Sequence, residues 1–292
     1  MSVDPSFSFD VYPGLDAELQ AALERNVAAG TASPEAVATA GLGAAVSEAI
    51  AKNDPLANAN LAPAFQQNME SARAITVHLF DSISILNRKV PELDSEEFKI
   101  FDWEKLQTAY ATMQEVGLQP ELVFTPLGLA LDYWRDIYAD LPGTKSGGLY
   151  LSPEVEKAWP DLSVINKSGW SVSVIPGTSE PTIKNVPHNM SKADLHDKLD
   201  GQVLDAVDLK TIRTASESFP DVSTYLMLQA TRLQKGETPI DASTWTWLEG
   251  EFDNGTKAPY ADWDPDLGQV DVDWDVPGYQ VGRLGVRPAV RG

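Results

Sequence analysis

Apolar residues recur every three or four positions through the first half of the chain, and at every second position in several short runs of the second half. The first pattern is that of helices burying one face, the second that of half-buried strands. Leu15, Leu19, Leu23 and Val27 predict a helix stopped by Gly30, and Ser33-Pro34-Glu35 starts another that carries Leu42, Val46 and Ile50. Phe65, Met69, Ala72, Thr76, Leu79, Ile83 and Leu86 have the spacing of a helix–helix seam, weakened at Thr76. Asp102 caps a helix with Trp103, Leu106, Tyr110 and Met113, ended by Gly117, and Leu131, Trp134, Ile137 and Tyr138 mark a further helix within 127–141. Between these two, Glu121 to Thr125 reads as a short strand.

Pro142-Gly143 and Ser146-Gly147-Gly148 are the clearest linker in the chain. Beyond them Trp170, Val172 and Val174 alternate with Ser171 and Ser173, a half-buried strand over 169–175 ended by Pro176-Gly177. Leu195, Leu199, Val203 or Leu204, and Val207 suggest a helix that Gly201 weakens. Pro220-Asp221 opens a firmer one with Tyr225, Leu228 and Leu233, ended at Gly236. Short strand-like runs follow at 245–248, 268–274 and 283–290. Strand, helices, then a fan of short strands is an α+β arrangement. The expected organisation is a helical, loosely attached arm over 1–60, a mainly helical domain over 61–148 and a mixed domain over 165–292. A terminal strand needs a partner, so 283–290 is expected to pair with the strand at 169–175.

Composition narrows the function classes. An apolar fraction of 43% suffices for a packed core, and a formal charge of -21 opposes nucleic acid and anionic membranes as partners. Such a charge favours a soluble monomer and a basic partner surface. With no cysteine, disulfides, zinc–thiolate sites and thiol chemistry are excluded, and three scattered histidines, His78, His188 and His196, argue against a multi-histidine metal site. Neither a signal peptide nor a membrane-length apolar run is present, so the expected location is the cytoplasm, with export by another route left open.

Four features could carry chemistry. Asp262, Asp264 and Asp266 have the first spacings of a calcium loop, but Gly268 falls one place late, Pro265 stiffens the turn and no glutamate closes the loop. A looser calcium site competes with the simpler reading that these aspartates face water, and the alternation of Val270, Val272 and Trp274 with Asp271 and Asp273 favours water. A glycosidase carboxylate pair needs a sheltered acid, which turn-rich aspartates do not offer. There is no Gly-x-Ser-x-Gly elbow; His188 in a polar loop and His196 on a charged helix read as surface histidines. Trp245 and Trp247 share one side of a strand, at least one of them in the core, whereas Trp263 and Trp274, flanked by aspartates, are as suited to a ligand as to a core.

The closing run Leu284-Gly285-Val286-Arg287-Pro288-Ala289 resembles the terminal strand of C-type lectin-like proteins, in the branch shared with formylglycine-generating enzymes. Pro220-Asp221-Val222-Ser223 through Arg232 and Gly236 is a loose counterpart of that branch's last helix. The resemblance covers about residues 165–292 and implies a C-type lectin-like domain there. The enzyme activity does not carry over, because it needs cysteines this chain lacks. A closer resemblance is to the variable proteins of diversity-generating retroelements, whose C-terminal segment is altered by adenine-directed mutagenesis. That resemblance implies a framework of Trp263, Gly268, Val270, Val272, Trp274, Leu284, Gly285, Val286, Arg287 and Pro288, with Trp245 and Trp247 also supporting the site. It implies variable, ligand-binding positions at Ala258, Tyr260, Asp262, Asp264, Asp266, Asp271, Asp273, Asp275, Val276, Pro277, Gly278 and Tyr279, residues an AAC codon can reach through its adenines, as Trp cannot. The expectation is a non-catalytic recognition protein for a basic protein ligand, with no cofactor and no metal. Its alternatives are a calcium-dependent carbohydrate-binding lectin and an altered enzyme of the formylglycine-generating superfamily.

Overall fold

The computed structural model describes residues 61–81, 90–92, 95–145, 147–162, 169–199 and 212–292. The helices expected at 15–27 and 34–50, the arm over 1–60 and the segment 200–211 lie outside these residues. Helices are α1 (Pro63–Asp81), α2 (Glu96–Lys99), α3 (Trp103–Glu115), α4 (Leu131–Ala139), α5 (Pro153–Leu162), α6 (Lys192–Lys198) and α7 (Val222–Lys235). Strands are β1 (Pro120–Pro126), β2 (Leu149–Leu151), β3 (Trp170–Pro176), β4 (Ile183–Lys184), β5 (Trp245–Trp247), β6 (Ala258–Asp264), β7 (Gln269–Asp275), β8 (Leu284–Val286) and β9 (Val290–Arg291). The architecture is α+β, with one sheet in the order β1-β3-β9 and another in the order β2-β7-β6-β5-β8-β4.

The first sheet is covered on both faces, which explains why its strands hide nearly every residue. Phe124 of β1 packs towards α2 and α3, its ring 5.8 Å from Phe98 and 6.4 Å from Trp103. The next residue, Thr125, points the other way, to Thr224 of α7. Ser173 of β3 is therefore buried, where the alternation with Val172 and Val174 suggested a solvent-facing serine. Helix α1 touches β1 and α7, and Phe65 meets Tyr110 of α3 edge-on. Thr76, the weak point of its seam, is buried with its hydroxyl donated to the Ala72 carbonyl.

Helix α7 lies at the centre. Asp221 caps it by accepting the Thr224 N–H, Gly236 ends it in the left-handed conformation, and eleven of its fourteen residues are buried. A helix hidden all round cannot be amphipathic, so its polar residues need internal partners. Gln229 has them: it donates to Tyr225 and to the Ile240 carbonyl, and accepts from the Ile240 N–H.

Two expectations are corrected. Segment 142–148 is not a linker. The Lys145 N–H donates to the Gly268 carbonyl, and Gly148 accepts from the Val270 N–H. Gly148 sits at φ +66, with a Cβ there only 2.4 Å from the Tyr138 carbonyl, so a glycine is required. The chain runs from it into β2, parallel to β7, and residues 61–292 form one compact unit, so the boundary expected near 148 falls inside that unit. The run 283–290 is also not one strand. Leu284–Val286 pairs with β5 and β4, and only Val290–Arg291 joins β3, opposite Val174 and Ser173. Between them the chain changes sheets at Arg287-Pro288-Ala289, which explains why the last residues link both sheets.

That crossing is held by a buried ion pair. Arg287 and Asp241 are both fully buried, with Nη2 2.7 Å from Oδ1. Arg287 also donates to the carbonyls of Pro176 and Thr178. Asp241 accepts from the hydroxyls of Tyr225, Thr244 and Thr246. Removing one partner of a satisfied buried pair leaves an uncompensated charge, which costs about 3–5 kcal/mol. Arg287→Leu and Asp241→Leu should each lose that much in urea denaturation. The double variant should lose clearly less than the sum; strict additivity would contradict the coupling described here.

Candidate functional site

The six-stranded sheet has two unlike faces, set by the period of two along β6 and β7. Register places Ala261 opposite Val272 and Trp263 opposite Val270, all buried. The intervening residues form the other face: Tyr260 opposite Asp273, Asp262 opposite Asp271, and Asp264 opposite Gln269. All of these are half-buried. The face continues into the neighbouring strands. Trp247 is opposite Tyr260, and Thr246 is opposite Ala261, so Trp245 lies one step on, beside Asp262. On the other edge Tyr150 of β2 is opposite Asp271 and is 46% exposed.

Aromatic residues frame this acidic patch. Trp245 stacks on Tyr260 at 5.0 Å, and Trp247 meets Tyr260 edge-on at 6.0 Å. The Arg283 guanidinium sits over the Trp245 ring, 3.5 Å from its centroid. Trp247 is buried and donates to the Val186 carbonyl, so it supports the face from within. The tryptophan at the surface of the patch is therefore Trp245. Trp263 is buried on the opposite side, and Trp274 belongs to that opposite side too, capped by Lys257 at 4.1 Å. Both tryptophans thus take the framework side rather than the ligand-facing one, because neighbours along a strand point apart and their flanking aspartates turn to the other face.

The remaining candidate positions separate by their contacts. Ala258 opens β6 fully buried and cannot touch a ligand. Asp264 accepts the N–H groups of Asp266 and Leu267, so it shapes the turn into β7. Asp266 is exposed in that turn. Asp273 and Asp275 each accept the N–H of the next residue, and Asp271 accepts from Gln269. Val276 and Gly278 are exposed, and Pro277 and Tyr279 half-buried, in the loop after β7; the Pro277 carbonyl accepts the Asn189 N–H. Arg287 lies deep in the unit, tied to Thr246 on the inner face. Sequence reasoning missed Asp241, Arg283 and Tyr150; Tyr150 had no visible partner until β2 was placed beside β7. His188 is also corrected: it is fully buried between Phe219 and Trp247, with Nε2 2.9 Å from the Leu248 carbonyl, and burial lowers its pKa. His196 is exposed on α6.

Carboxylates set opposite one another on partly dry strands resist ionisation. Burial pushes Asp262 up to about 7, with Asp271, Asp241 and Asp264 adding repulsion and Arg283 opposing them. Burial also raises Asp271, despite the Gln269 hydrogen bond. Tyr260 is raised by burial and by Asp273, Asp262 and Asp275. Among the described residues no group of three or more His, Asp or Glu side chains is gathered to hold a metal ion. A cleft of about 700 Å³ bounded by Tyr110, Glu121, Arg232 and Lys235 lies apart from this face, its cations engaged by Glu121.

The raised acid predicts a pH profile. A carboxyl with a higher pKa folded than unfolded binds its proton more tightly in the native state. Stability should then fall as pH rises from about 4 to about 7, the span between the ordinary and the shifted value of Asp262. Asp262→Asn should raise the melting temperature at pH 8 and change it little at pH 4. Equal effects at both values would show that Asp262 ionises normally.

No family of known proteins, no curated protein and no solved structure matches the chain, so the reading of this face rests on its own geometry.

Proposed function

We propose that this is a recognition protein whose C-terminal segment displays a diversifiable binding face on a C-type lectin-like scaffold, in the manner of the variable proteins of diversity-generating retroelements. One observation carries the reading: Tyr260, Asp262 and Asp271 each lie between buried residues, and Asp273 follows buried Val272, which supports a division into a face of interchangeable positions and a framework face. The meeting of β3 with β9 at the two ends of the region supports the scaffold assignment. Binding residues on strands and a loop held by a packed core keep their geometry while their identity changes. Aromatic residues give contact area at low entropy cost, and small polar ones tune it. The proposed ligand is a protein with a basic surface, complementary to the acidic face. Ala258 is dropped from the contact set, and Asp264 is assigned to the turn. Trp245 and Tyr150 join the set.

The test separates stability from binding. Asp271→Ser and Asp273→Ser should change stability by about half a kcal/mol or less, whereas Val272→Ser should cost about 2 kcal/mol or more. A displayed library varied at Tyr260, Asp262, Asp271, Asp273, Asp275 and residues 276–279 should stay largely folded and yield binders when panned on lysozyme, a basic protein. The gene should lie near a second copy of its closing codons that differs at adenines. A library that unfolds as readily as Val272→Ser would reverse the assignment of faces, and the absence of such a copy would remove the retroelement.

A further inference from the structure

Across four strands, one row of this face reads Tyr150, Asp271, Asp262, Trp245. With strands about 4.8 Å apart, the two aromatic residues stand about 14 Å from one another with the carboxylates between them. Like charges directly opposite on paired strands are unfavourable. The Asp262 carboxylate has no hydrogen-bond partner among the described residues, and that of Asp271 accepts from the Gln269 side chain. The row thus combines a carboxyl pair without an ion-pair partner among the described residues with flanking aromatic rings.

A cation of the chain's own lies at one end. Arg283 is exposed, and its carbonyl is held by the Trp245 N–H at 2.7 Å, which brings the side chain alongside. Its guanidinium rests on the Trp245 ring, near enough to Asp262 and Tyr260 to favour their ionised forms. Yet it makes no ion pair with either carboxylate among the described residues. A surface arginine stacked on tryptophan beside unpaired aspartates marks where a guanidinium is favoured.

We propose that Asp262 and Asp271, bracketed by Tyr150 and Trp245, seat one arginine side chain of the partner protein, and that Arg283 is the chain's own competitor for that seat. This rests on the recognition reading above and names the chemistry at the middle of the face. Arginine fits better than lysine. A planar guanidinium stacks on an indole and presents several donors in a fork that two carboxylates can accept, whereas an ammonium is a compact, strongly hydrated point. Arg283 would tune the seat: it shields the aspartates when the seat is empty and moves off the ring when an incoming guanidinium takes its place.

The experiment titrates three peptides, acetyl-Gly-Arg-Gly-amide and its lysine and citrulline counterparts, into the full chain labelled with ¹⁵N. The indole N–H of Trp245 is the reporter. Arg283→Ser should bind the arginine peptide several-fold more tightly than the unaltered chain, with the lysine peptide weaker and the citrulline peptide, which lacks the charge, causing no shift. In the Arg283→Ser background, Asp262→Asn with Asp271→Asn should weaken arginine binding about tenfold or more. Both changes conserve shape, and unchanged spectral dispersion reports that the fold is kept. If Arg283→Ser gains nothing, or citrulline binds as well as arginine, the seat does not exist. Binders recovered from the lysozyme-panned library would leave the recognition reading standing in that case, whereas an unfolding library would remove both.

Discussion

The Asp241–Arg287 pair is the interaction on which the rest depends. Asp241 sits at φ +58, a conformation uncommon for a residue with a side chain. Its backbone is fixed on both sides, the N–H donated to the Ser179 carbonyl and the carbonyl accepting from Trp263. Its carboxylate receives a helix residue, Tyr225, two residues around β5, Thr244 and Thr246, and the arginine of the sheet crossing. A buried pair of this kind need not add net stability over an apolar replacement. It does specify geometry, because each donor aims at one point. Helix α7, the inner face of the six-stranded sheet and the last residues of the chain are positioned against one another by a single carboxylate.

This anchoring bears on the face above it. Strands β6 and β7 carry five aspartates between 262 and 275, a composition poorly suited to strands. They are held by the opposite side: Ala261, Trp263, Val270 and Val272 are buried beneath them. The burial that fixes the strands also partly dries the aspartates, and desolvation is the largest cause of the Asp262 shift, ahead of any neighbouring charge. Rigidity of the scaffold and strain in its charges thus have the same origin. A partner that brings positive charge relieves the second without disturbing the first.

Legibility followed periodicity. Helices with an unbroken seam and a cap, such as 103–115 and 222–235, were readable because Asp102 and Asp221 open them and Trp103, Leu106, Tyr225 and Leu228 repeat at helical spacing. The two-sidedness of β7 was readable for the same reason. What failed was anything set by non-local contact. Ser173 looks solvent-facing in the alternation of β3 until α7 covers it. Gly147-Gly148 looks like part of a linker until Tyr138 and Val270 close on Gly148. His188 lies among polar neighbours in sequence and among aromatic ones in space. Asp241, with no periodic neighbours, carries no local mark of its role.

The last residues separate an exposed loop from a buried support. Between β7 and β8 the loop 276–283 is largely exposed, with few backbone ties: Tyr279 to Val276, Leu284 to Val281, and Pro277 to Asn189. From Leu284 onward every residue to Val290 is buried. Gly285 runs so close to β4 that a Cβ would stand 2.1 Å from the Ile183 carbonyl, so no other residue fits. Ala289 donates to the Ser218 carbonyl, and Arg291 binds the carbonyls of Glu217 and Phe219 and the carboxylate of Glu249. Changes in the loop leave these contacts intact, because none of them runs through it. Arg283 stands on the border, its carbonyl bound to Trp245 in the sheet and its side chain turned to the face, so that one residue belongs to the support through its backbone and to the surface through its side chain.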